Sequence, residues 1–88
     1  MSPTTTRLYA AAQRKFRAWC TDTGRRFPTT HEAVALYLRT VMKTGGPSSV
    51  HVHLAALAMA YRDAGRGLDT RHPAIQRVTA KARTSLRR

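Results

Sequence analysis

Acidic residues are scarce in this chain: Asp and Glu number 4 against 16 Lys and Arg, which gives the 88 residues a formal net charge of +12. Carboxylates so few and so widely spaced do not build a paired-carboxylate hydrolase. The lone cysteine, Cys20, excludes an internal disulfide and reads as a small buried hydrophobe. No apolar run approaches the roughly 20 residues that span a bilayer, and the opening MSPTTTRLY has no hydrophobic signal core. A cytoplasmic protein is therefore expected, in a bacterium one with access to the nucleoid. Glycine-rich phosphate loops are missing, since Gly45-Gly46-Pro47 fits neither the Walker nor the dinucleotide pattern. On a helix His51 and His53 diverge by about 200° and cannot share an ion, while His31 and His72 have no cysteine or carboxylate partners at ligand spacing. Neither a metal nor a cofactor is expected.

What is present is hydrophobic enough to fold. A hydrophobic content of 42% argues against a disordered basic tail. A chain of this length buries only about 60–65% of its unfolded surface, so residues 1–88 make one domain with one thin core and no deep active site. An excess of positive charge this large on so small a body calls for a polyanionic partner, nucleic acid before an anionic membrane surface.

Hydrophobic spacing gives four helices, near 5–23, 30–43, 48–64 and 73–86, and no strand. In the first, Tyr9, Ala12, Phe16, Trp19 and Cys20 form an inward stripe, with Arg7, Ala11, Arg14 and Ala18 opposite and Leu8 and Lys15 on the flank. One of Thr4, Thr5 or Thr6 is expected to cap it, and Gly24 to close it in the left-handed conformation. The second opens on Thr29 with Glu32 three residues on, a capping-box spacing. It turns Val34, Tyr37, Leu38 and Val41 inward and Leu36, Arg39 and Lys43 outward. The third is apolar nearly all round and is expected to be central. Its opening Ser48 and Ser49 offer caps, or hydroxyls and free amides for a phosphate. The fourth begins at His72-Pro73, with Ile75, Val78, Ala82 and Leu86 inward and Arg77, Lys81, Thr84 and Arg88 outward. The tyrosines lie on inward stripes and read as core rather than catalytic, and His53 reads as a packed side chain at the core edge.

These features come in a telling order. The pattern T-x-R-x-Y (Thr5, Arg7, Tyr9) is followed by R-K-F-x-x-W-C from Arg14 to Cys20, then by A-V-x-x-Y-L from Ala33 to Leu38. Next come S-S-V-x-x-x-L-A-A-L from Ser48 to Leu57 and Y-R-x-A-G from Tyr61 to Gly65, and H-P-A-I-x-x-V from His72 to Val78 closes the series. The series resembles the N-terminal core-binding domain of tyrosine recombinases, the phage-integrase family, along almost the whole chain. That resemblance implies an all-α, SAM-like orthogonal bundle of four or five helices that clamps one side of double-stranded DNA, with helices 1 and 3 towards the major groove. It implies DNA-facing positions at Thr5, Arg7, Leu8, Ala11, Arg14 and Lys15 on helix 1 and at Ser48, Ser49 and Val52 on helix 3. Arg25, Arg26, Lys43, Arg77 and Lys81 are further candidates for phosphate contact. In that family strand cleavage belongs to a second, C-terminal catalytic domain. The partners implied are thus duplex DNA, such a domain and neighbouring recombinase protomers, with no cutting by these 88 residues alone. Other classes that share the charge are a structural RNA-binding protein, whose stacking aromatics would be exposed, and a helical protein-interaction or membrane-surface module.

Overall fold

The computed structural model describes residues 2–86 and shows, among them, four helices and no strand. They are α1 (Pro3–Asp22), α2 (His31–Gly45), α3 (Pro47–Asp63) and α4 (Pro73–Leu86). The radius of gyration, 12.4 Å, is close to the roughly 12 Å expected for a folded chain of this length. No described helix is long and apolar enough to cross a membrane. Arg88, expected on the outer face of the fourth helix, lies outside the described residues.

The apolar spacing decides the packing. α3 packs against all three other helices, α1, α2 and α4. Its Val50, Ala56, Leu57, Ala60 and Tyr61 are buried, and its remaining apolar residues are half-buried, as an all-round apolar helix requires. The core is an aromatic chain that crosses elements. Fully buried Phe16 of α1 lies 5.0 Å from Tyr37 of α2 and 6.0 Å from Phe27 of the α1–α2 connection, and Phe27 lies 5.3 Å from Tyr61 of α3. All three pairs meet edge to face, the arrangement that ring quadrupoles favour.

Four expectations are corrected. α1 starts at Pro3, capped by Ser2, whose hydroxyl accepts from Thr5 N at 3.2 Å, rather than by Thr4, Thr5 or Thr6. Proline suits the first helical position because its missing N–H is not needed there. α2 is capped by Thr30, which accepts from Ala33 N at 3.1 Å, and not by a Thr29–Glu32 box. Thr29 is occupied elsewhere: its N–H donates to the Tyr61 hydroxyl and its carbonyl accepts from it, both at 2.9 Å. Glu32 instead faces His72 at 3.6 Å. α3 begins one residue before the serines, with Gly46 at the cap position and no side-chain cap bond. Finally, Leu86 is 52% exposed, because the fourth helix runs past the neighbours that cover Ile75, Val78 and Ala82.

Candidate nucleic-acid interface

On α1, Arg7 and Arg14 are seven residues apart and so within about 20° of each other around the axis. Both are exposed, as are Leu8 and Lys15 on the adjoining flank, and half-buried Ala11 lies between the arginines. Thr5 belongs to the helix start: its hydroxyl is 2.8 Å from that of Ser2.

Lys15 also lines a cleft of about 490 Å³ where α1, the end of α2 and the start of α3 meet. Trp19 and Ala18 of α1, Thr44 of α2, and Ser49 and His53 of α3 share that cleft. The fold therefore brings Lys15 and Ser49 to one concavity. Val52 is half-buried and sits about 60° around α3 from Ser49, and Ser48 is exposed beyond it. The start of α3 has fewer free donors than two serines imply. Pro47 has no amide hydrogen, Ser49 N donates to Gly46 O at 3.2 Å, and Ser49 Oγ donates to Gly45 O at 2.8 Å. One carboxylate, Asp22, also lines the cleft.

Charge in the cleft is set by burial. His53 Nδ1 is 3.0 Å from the Tyr37 hydroxyl. Burial, reinforced by the neighbouring Lys15 ammonium, holds the imidazole below its ordinary pKa of 6.5. Burial pushes the Tyr37 hydroxyl up to about 12, with Cys20 adding to the rise. Both groups are thus neutral at pH 7, and the positive charge of the cleft comes from Lys15. Burial likewise raises the Cys20 thiol, against the lowering effect of Arg25, which suits a packed side chain rather than a nucleophile.

The other basic candidates fall on separate surfaces. Two helices end in the same way: Gly24 N donates to Thr21 O and Arg25 N to Cys20 O, and Gly65 N donates to Arg62 O and Arg66 N to Tyr61 O. Each pair is a Schellman closure around a left-handed glycine, at φ 72° and 76°. Each delivers an arginine just beyond the helix. Arg25 and Arg66 converge with Arg26 and His31 on a groove of about 470 Å³. The Arg25 guanidinium lies 4.9 Å over the Trp19 ring, and so adjoins the cleft of Lys15 as well. Lys43 is exposed in the last turn of α2, whereas Arg77 and Lys81 line a groove between α2 and α4, away from α1.

Tyr37 and Tyr61 are 4% and 3% exposed, with both hydroxyls engaged, and Tyr9 is half-buried. Several positioning contacts had no signal in the sequence. Gln13 Nε2 donates to Ala56 O at 3.0 Å and ties α1 to α3. The His31 and His72 rings stack 4.7 Å apart, and His31 Nε2 accepts from Asp69 N at 3.0 Å. Among the described residues no three His, Cys, Asp or Glu side chains come together as a metal site. The chain matches no protein-family profile, and no curated protein matches it in sequence.

Proposed function

We propose that this protein binds duplex DNA through the outer face of α1 and the cleft that α1 shares with the start of α3. The reading casts it as a SAM-like core-binding domain of the tyrosine recombinase type. The observation that carries it is the shared cleft. Lys15 and Ser49, 34 positions apart in the chain, line one concavity beside exposed Arg14, with Arg7 two turns further along the same face. Arginine and lysine neutralise phosphates and hold the register. Leu8 and Val52 offer apolar contact of the kind a thymine methyl accepts, and Arg25 extends the positive surface past Trp19. A partner catalytic domain and neighbouring protomers would supply cleavage and assembly. The buried, hydrogen-bonded Tyr37 and Tyr61 offer no free nucleophile here.

Fluorescence anisotropy with a labelled 20-base-pair duplex tests the reading. With four to six phosphates contacted, log affinity falls against log salt with a slope of about −4 to −5. Arg14→Gln and Lys15→Gln should each weaken binding to every sequence and flatten that slope by about 1. The protein should leave supercoiled plasmid unnicked. Unchanged affinity in both variants removes the interface from α1. Structured RNA that outcompetes the duplex puts RNA in its place.

A further inference from the structure

The far side of α2 carries a second groove that the proposed DNA contact leaves unused. It runs between α2 and α4, encloses about 1080 Å³, and is lined by Ala35, Met42, Ala74 and Val78. At about 100° per residue, Ala35, Arg39 and Met42 lie roughly 160° around α2 from Tyr37, Val41 and Thr44 of the Lys15 cleft. Leu36, 44% exposed, also lines the groove. Arg39, Arg77 and Lys81 line it too, all exposed, and among the described residues none has a carboxylate within ion-pair distance. The carboxylate of Glu32, also in the groove, already faces His72.

We propose that this groove docks an acidic amphipathic helix of another protein. An apolar floor takes the apolar stripe of a helix, with anchors one and two turns apart. Three unpaired cations along the same groove select carboxylates on the flanks of that stripe. The walls are 15 and 14 residues long, about 21–22 Å, so the groove has room for three to four turns. A second copy of this chain is the wrong occupant. It brings +12 of its own and only 4 acids, and in a symmetric pair the same three cations would meet. Duplex DNA meets the cations but leaves the apolar floor against water.

The test is a two-dimensional amide NMR titration of the whole protein with a synthetic 16-residue helical peptide carrying a leucine stripe flanked by glutamates. A sister peptide has lysine at each glutamate. The glutamate peptide should shift amides in residues 35–42 and 74–84, and the lysine peptide should bind at least about tenfold more weakly. The double variant Arg77→Glu with Lys81→Glu, at exposed positions, should reverse that preference. Leu36→Ser should weaken the glutamate peptide about fivefold or more through lost apolar contact. Arg14→Gln should leave peptide binding unchanged, so this proposal and the DNA reading stand or fall separately. The proposal is overturned by any of five results: no shifts at about 1 mM peptide, shifts confined to α1, equal affinity for both peptides, displacement of the peptide by duplex DNA, or concentration-dependent shifts of the same amides without peptide. The last would show a second copy in the groove.

Discussion

His53 sits where α1, α2 and α3 meet, and its environment makes a proton unwelcome. The ring is partly buried, its Nδ1 faces the Tyr37 hydroxyl at 3.0 Å, and the Lys15 ammonium is close enough to oppose a second positive charge. Its folded-state pKa is therefore depressed below 6.5. As pH falls through that value the unfolded chain takes up a proton that the folded chain refuses, so the unfolded state binds more protons and stability declines. Urea midpoints measured from pH 7.5 to 5 should drop in the wild type, and the drop should be smaller in His53→Gln. Identical pH profiles would show that the imidazole does not feel its neighbours. The sequence placed this histidine at the core edge but could not supply its partner. Tyr37 is 16 positions away, and only the crossing of α2 and α3 brings the two together. Gln13 with Ala56, and Thr29 with Tyr61, were invisible for the same reason. Helical periodicity tells which face a residue occupies, not which residue of another helix will oppose it.

Where the helices begin and end, local chemistry was more legible than its details. Each boundary fell within two residues of expectation, because proline, glycine and hydroxyl residues punctuate the chain. Caps were misassigned where neighbouring hydroxyls competed: Ser2 over Thr4 to Thr6, and Thr30 over Thr29. At the α2–α3 corner the backbone makes a stronger demand. Gly46 has φ 84° and ψ 170°, a conformation that side chains exclude almost completely. Next to it, a Cβ built on Gly45 would come within 2.9 Å of Ser49 Oγ, the hydroxyl that now bonds the Gly45 carbonyl. The tight corner is what sets the start of α3 beside α1 and so forms the cleft. Gly46→Ala should cost about 1–3 kcal/mol, from strain alone, since open space surrounds that position. Thermal unfolding should show a fall in Tm of about 4–8 °C per kcal/mol, and Gly67→Ala, at a glycine without positive φ and with nothing near, should show much less. Equal effects would mean that the corner tolerates a side chain.

For the molecule as a whole, charge is in conflict with folding. A net +12 is confined within extents of 36 × 30 × 23 Å, and the single contact at ion-pair distance among the described residues is His72 with Glu32, at 3.6 Å, a charge pair only when the imidazole carries a proton and with the Glu32 side chain exposed. Such a pair contributes little, so salt has little attraction to remove. It has much repulsion to remove. At 0.01 M ionic strength the screening length is about 30 Å and charges across the whole body repel, whereas at 0.1 M it is about 10 Å. Unfolding spreads the same charges over a radius of gyration of about 30 Å, so repulsion favours the unfolded chain and screening favours the folded one. Raising sodium chloride from 10 to 200 mM should therefore raise Tm by several degrees, while the same change weakens duplex binding by about six orders of magnitude if five phosphates are held. Opposite responses from one positive surface are the signature expected of a fold built by its apolar side and kept basic for a polyanion. A Tm that falls with salt would show instead that charge pairing holds the bundle together, and the excess of arginine and lysine would then need a structural explanation.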